Sequence, residues 1–237
     1  MSTDNELIKE SLYTRTAMML GDDAINRLKS ARVAIFGVGG VGGFATEAIA
    51  RAGVGGITLI DSDKVSVSNL NRQIIALNST VGRFKTEVMR ERILDINPDC
   101  RVEIFSEFYS AENAEIFNLS SYDYVIDAID SVKSKLDLIE RTVKLGVPII
   151  SCMGAGNKLD PSRFRVSDIS KTTVDPLAKV VRTELRHRGI NHLKVVFSDE
   201  EPVNPQRSRI PGSLSFVPSA AGLILASEVI LDISDTR

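Results

Sequence analysis

The feature that most constrains this chain is a glycine loop wedged between an apolar strand and a helix. Residues 31–37, ARVAIFG, read as a short buried strand of aliphatic side chains ending in glycine. Gly37-Val38-Gly39-Gly40-Val41-Gly42 completes the loop, a Gly/Ala-rich helix spans 40–52, and a second strand over 55–60 ends at Asp61. Strand, glycine turn, helix and strand make a βαβ unit with parallel strands. The glycines let backbone approach a phosphate, and the helix N-terminus offers free N–H groups to an anion. Asp61, about 20 residues past the loop, is placed to accept from ribose hydroxyls. A tight turn that merely needs glycine is the plainer alternative.

The same alternation continues. A helix is expected over 82–97, a strand over 102–105, a strand over 122–130, a helix over 134–146 and a strand over 147–153. Upstream, residues 11–30 read as one amphipathic helix with Leu12, Met19 and Leu28 among its apolar positions. This pattern predicts an α/β fold: a mainly parallel sheet covered by helices, with an N-terminal helix. After residue 153 come a strand over 164–169, a helix capped by Asp175 and opened by Pro176, a strand over 194–198, a proline-rich loop over 200–213, and a helix over 219–231. No linker divides the chain. It reads as one domain over 1–237, with a nucleotide-binding core at about 12–155 and a substrate-facing C-terminal extension at about 156–237.

Composition excludes several classes. The 237 residues are 43% hydrophobic and 25% charged, with a formal net charge of −2, so no global basic field advertises nucleic acid. Cys100 and Cys152 are too few for a disulfide framework or a four-thiolate zinc site. No apolar run reaches the about 18 to 20 residues that a membrane span needs, and the 219–231 helix reads as a buried one. The polar N-terminus is no signal peptide, so a cytoplasmic location and no membrane partner are expected.

Polar residues beyond the loop select between cofactors. Residues 61–73 read DSDKVSVSNLNRQ, and Lys85 follows in GRFK. A nicotinamide enzyme has little use for these cations. Adenylation needs them, because an anionic carboxylate must approach an anionic α-phosphate and pyrophosphate must leave. Arg72 and Lys85 are the candidate cations, and Asn69 is a neutral donor. Asp127 and Asp130 close the fourth strand, where open α/β sheets bind ligands; Asp130 is the candidate for Mg²⁺ held against phosphates, or else a helix N-cap. Solvated surface charge is the alternative for each cation taken singly.

With these residues in hand, GVGGVGG, LIDSD, SNLNRQ, GRFK, INP and DAIDS resemble the ThiF/MoeB/HesA superfamily over roughly residues 12–155. The resemblance implies a Rossmann-like fold, with Gly37, Gly39, Gly40, Gly42, Asp61 and Asp63 at the nucleotide. It implies Asn69, Arg72 and Lys85 on the phosphates and Asp130 beside Mg²⁺. It further implies a homodimer in which Arg15 reaches the neighbouring subunit's ATP site. The paired C-x-x-C zinc motifs of the sulfur-carrier activators are missing, so no structural zinc is expected. The second half, with MGAGNKLDP and DISKTTVDPLAKVVR, is similar to the tRNA threonylcarbamoyladenosine dehydratases. That likeness implies ATP-dependent cyclisation of the threonyl carboxylate of this modified nucleoside in tRNA, through an acyl-adenylate, with release of AMP and pyrophosphate.

The chemistry fits a chain with few cysteines. A ureido nitrogen of the substrate closes a five-membered ring with a large effective molarity, about 10⁵ M or more, so no enzyme nucleophile is required. Cys152, inside an apolar strand, and Cys100 read as structural, and His187 and His192 as surface residues. For RNA, Lys179, Arg182 and Arg186 share one helix face, Arg188 extends it, and Lys158, Arg163, Lys171, Arg207 and Arg209 lie near in sequence. The rival functions are adenylation of the C-terminal glycine of a ubiquitin-like sulfur carrier, an NAD-dependent oxidoreductase, and a nucleotide-sensing scaffold without turnover. A sulfur-relay protein partner and a monovalent cation also fit the expectation.

Overall fold

The computed structural model describes residues 10–203 and 210–236. Its centre is a seven-stranded sheet in the order β3-β2-β1-β4-β5-β7-β6. The strands are β1 (Arg32–Phe36), β2 (Gly56–Ile60), β3 (Arg101–Phe105), β4 (Tyr124–Asp127), β5 (Ile149–Cys152), β6 (Phe164–Asp168) and β7 (Lys194–Ser198). All neighbours pair in parallel except β6, which runs antiparallel to β7 at the edge. The direction of winding reverses between β1 and β4, and such a switch point opens a crevice at the carboxyl ends of the strands.

Side chains of β1 show how both faces are filled. Val33 and Ile35 join a core beneath α2 (Asp22–Ser30), α3 (Gly42–Arg51), α4 (Lys85–Ile96) and α7 (Val217–Ser234). Ala34 and Phe36 join a second core beneath α5 (Val132–Lys144) and α6 (Pro176–His187). The period of two in a strand makes this division unavoidable. Burial on both faces explains why these strands are continuous apolar runs.

Several boundaries differ from the expectation. The single helix over 11–30 is two: α1 (Thr14–Leu20) and α2 meet at Gly21, whose φ of +84 breaks the helix. Fully buried side chains come from α2, while α1 lays only the partly buried Ala17 and Leu20 against the core, so Leu28 is buried while Met19 is 83% exposed and Leu12 lies at the surface. The helix expected from residue 82 starts at Lys85, because Gly82 takes φ +90 and Phe84 bridges to Lys64. The last helix is longer than 219–231. Its 18 residues meet the length and hydropathy of a membrane span. In this fold it is a core helix: Ala221, Leu225, Ala226 and Val229 are fully buried, and buried Glu228 lies 3.6 Å from Lys194.

Candidate nucleotide site

The turn after β1 is built so that only glycine fits. A Cβ on Gly37, which has φ +92, would lie 2.6 Å from the Ala128 carbonyl oxygen, and one on Gly42 would lie 1.8 Å from the Gly37 oxygen. The β1 and β4 ends therefore touch backbone to backbone, and α3 begins directly at the crevice. A cleft of about 450 Å³ opens here. Gly37, Gly39, Gly40, Asp61, Asp63, Asn69, Arg72, Lys85 and Asp130 all line it. Gly42 lies behind the lining, where it sets the packing.

Each polar group has a definite setting. Asp61 is buried at the end of β2; its carboxylate accepts from the Val38 N–H at 2.7 Å and the Asp63 N–H at 2.8 Å. Burial pushes its pKa up, against the opposing pull of Lys85. Lys85 is buried at the first position of α4, and its Nζ donates to Asp63 at 2.7 Å and sits 3.8 Å from Asp61. The Asp63 side chain is 68% exposed, so this pair exchanges readily for another anion. Asn69 commits its side-chain carbonyl to the Ser66 N–H at 3.0 Å, which leaves its amide as a donor. Arg72 is anchored through Nη1 to the Ser68 carbonyl and Asn71, both at 2.9 Å.

Asp130 is exposed on the cleft wall, and Ser131, not Asp130, occupies the N-cap of α5, so the capping alternative fails. Asp127 does not face the cleft as a metal carboxylate. It is fully buried and accepts from Lys135 and Ser151, because β4 ends inside the sheet. Among the described residues, no group of three His, Cys, Asp or Glu side chains is arranged to hold a metal by itself. Cys100 and Cys152 are both buried free thiols, pushed by burial up to about 11 and about 12.

The basic face of α6 is narrower than the spacing suggests. Arg182 turns inward to the Thr172 carbonyl at 2.9 Å, and Arg188 pairs with Glu140 at 2.8 Å. Lys158 is buried and donates to the Glu200 carbonyl, and Arg163 pairs with Asp199 at 2.8 Å. Lys179, Arg186 and Lys171 remain exposed. His192 bonds Asp168 at the surface at 3.2 Å. Arg207 and Arg209 lie outside the described residues.

Arg15 is exposed on α1 and lines no part of this cleft. The preceding Tyr13 packs on Gly53, just past the far end of α3, a helix about 15 Å long whose other end is the glycine loop.

The cleft also recruits residues that motif reading missed. Glu107, Phe108 and Tyr109 follow β3, and the rule that ligands gather at strand carboxyl ends points to them. Gln73 is the other. It is buried, and its side-chain carbonyl is the one buried side-chain polar atom lacking a partner among the described residues. Pro211, Gly212 and Ser213 close the far wall from a distant loop, and no local signal marks them.

The glycine cradle, the orphaned Gln73 carbonyl and the two cations fit a phosphorylated nucleotide. Comparison with known proteins agrees. The model of the ThiF family matches residues 13–236. The chain is 46% identical to the tRNA threonylcarbamoyladenosine dehydratase of Bacillus subtilis, over 93% of this chain and 94% of that protein. It is 43% identical to the Escherichia coli enzyme of that name, over 81% of this chain and 74% of that protein. The crystal structure of the E. coli dehydratase in complex with AMP superposes with a TM-score of 0.88 at 39% identity, covering 94% of each chain.

Proposed function

The chain belongs to the ThiF family, and on that premise we propose that it is an ATP-dependent tRNA threonylcarbamoyladenosine dehydratase. The observation that carries this reading is the convergence of Asp61, Asn69, Arg72, Lys85 and Asp130 on one cleft at the β1–β4 switch point.

The threonyl carboxylate, ionised at neutral pH, attacks the α-phosphorus of ATP. An O–P bond forms, the bond to the β-phosphate breaks, and pyrophosphate leaves. Arg72 and Lys85 offset the repulsion between the anions and stabilise the leaving group, and the Asn69 amide donates to phosphate oxygen. Asp61 orients the ribose. A ureido nitrogen then attacks the acyl carbon. The new C–N bond closes a hydantoin ring, the C–O bond to AMP breaks, and the nitrogen gives up its proton. The substrate has lost the elements of water. Asp130 would hold Mg²⁺, which would supply further positive charge at the leaving group.

Arg15 cannot serve its own cleft from α1, which supports a homodimer in which it enters the partner's. Lys179 and Arg186 are the α6 cations placed to hold tRNA phosphates. No structural zinc is required. A cytoplasmic enzyme, a sulfur-relay protein partner and a monovalent cation that orders the loops are compatible with this reading.

The test is direct. Purified protein with ATP and tRNA bearing threonylcarbamoyladenosine should release AMP and pyrophosphate, and mass spectrometry of digested tRNA should register one water lost from that nucleoside. Turnover with NAD in place of ATP, or with a sulfur-carrier protein in place of tRNA, overturns the assignment.

A further inference from the structure

We propose that residues 154–156 form the seat of the substrate nucleoside, and that Asp175 is the positioning residue that fixes this seat to α6. The inference rests on the dehydratase reading above and names where its second substrate lies.

The cleft has two unequal halves. Asp61, Asn69, Arg72 and Lys85 come from the segment between β2 and α4, and together they take the nucleotide. The other half is walled by Ala155 and Gly156, just past β5. The sheet order puts β2 and β5 on opposite sides of the β1–β4 switch point, so the part of the cleft past β5 is the part the nucleotide-holding residues leave to a second substrate.

A glycine-rich wall holds a substrate in place only if something holds the wall. Asp175 does so. Its side chain is buried, with one carboxylate oxygen accepting the Gly154 N–H at 3.0 Å and the other accepting the Ala178 N–H in the first turn of α6 at 2.9 Å. The fit at position 154 is tight: a Cβ on Gly154 would lie 3.0 Å from the Asp175 carboxylate, which would have to shift to admit it. Further along, Asn157 accepts the Gly212 N–H at 2.7 Å, and Glu200 accepts the Leu159 and Asp160 N–H groups at 2.9 and 3.0 Å. The wall is thus pinned at three places along its length.

The approach to Asp175 is equally constrained. Val174 takes φ +62, a conformation a β-branched residue adopts only when its surroundings impose it. The Asp175 N–H bonds the Thr173 carbonyl across this residue, and Arg182 of α6 donates to the Thr172 carbonyl just before it. A rigid turn therefore ties the seat to the helix that displays Lys179 and Arg186. RNA held on that face is held in fixed register with the wall.

The experiment compares full-length wild-type protein with Asp175→Asn and with Gly154→Ala, using ATP and tRNA bearing threonylcarbamoyladenosine. Asp175→Asn keeps the shape of the side chain and puts an NH₂ against a backbone N–H. Gly154→Ala keeps the carboxylate and pushes the wall. Both should bind ATP within about twofold of wild type by calorimetry, with an unchanged KM for ATP, while kcat at saturating tRNA falls about 100-fold. A folded Asp175→Asn protein with wild-type kcat overturns the seat, as does a parallel loss of ATP affinity in both variants. Wild-type protein inert toward modified tRNA refutes the functional reading, and the seat with it.

Discussion

Lys135 Nζ lies 2.8 Å from Asp127 Oδ2, and both side chains are fully buried. The pair is completed on each side. Asp127 also accepts from Ser151 Oγ at 2.6 Å and the Ile129 N–H at 3.1 Å, and Lys135 also donates to the Cys152 carbonyl at 3.0 Å. It joins α5 to the ends of β4 and β5 directly beneath Ala128, the residue that abuts Gly37. Lys135→Met strands an anion in the core and should destabilise the fold by about 3–5 kcal/mol, read by urea denaturation. Lys135→Met combined with Asp127→Leu should lose much less than the sum of the single changes. Additive losses would show that the two groups do not act as a pair.

Arg72 is half-buried and its bonds to Ser68 and Asn71 lie at the surface, so Arg72→Ala should leave stability within about 0.5 kcal/mol. Steady-state AMP release should nevertheless fall about 10²–10³-fold, as loss of one transition-state donor does elsewhere. Arg72→Lys should not restore it, because a point charge does not reproduce the guanidinium fork. Wild-type activity in Arg72→Ala sinks the role.

The pH dependence of nucleotide binding follows from Asp61. As a ribose acceptor it must be ionised, and burial raises its pKa above the ordinary carboxylate value. Affinity for ATP is therefore full well above the folded pKa and is lost as pH falls through it, at a higher pH than an unperturbed aspartate would give. Stability runs the opposite way: the ionised form is the costlier one in the fold, so the penalty from Asp61 is absent below its unfolded pKa and complete once pH has risen through the folded pKa. Calorimetric titrations across acid pH should show this limb in wild type and not in Asp61→Asn.

Neither cysteine is a nucleophile in this mechanism. Burial holds the Cys152 thiol up at about 12 and Cys100 at about 11, so both are neutral at pH 7. Iodoacetamide should label the folded protein slowly, and Cys152→Ala should retain turnover within about threefold. A trapped thioester on Cys152 would contradict this.

Donation of Arg15 across a dimer predicts complementation. Arg15→Ala and Arg72→Ala proteins should each be inactive alone. Random exchange of subunits gives hybrids with one complete site, so the mixture should recover about a quarter of wild-type turnover. No recovery, despite subunit exchange verified by mass spectrometry, rules out the shared site.

What the sequence by itself determined is the part governed by local rules. Strand periodicity and the glycines at 37 and 42 specify a parallel sheet with a crevice at its switch point, because no other residue fits between the Gly37 and Ala128 backbones. The run from Asp61 to Lys85 likewise carries its chemistry in short-range spacing. Only the tertiary structure decided where the helix over 11–30 breaks, that Asp127 is spent on Lys135, and that Arg182 and Lys158 face inward. Nor does spacing reveal that a loop beyond β7 brings Pro211 and Ser213 to a cleft begun at residue 37. The reason is physical. A side chain's hydrogen-bond partner is chosen by which groups burial leaves unsatisfied, and burial is a property of the packed whole.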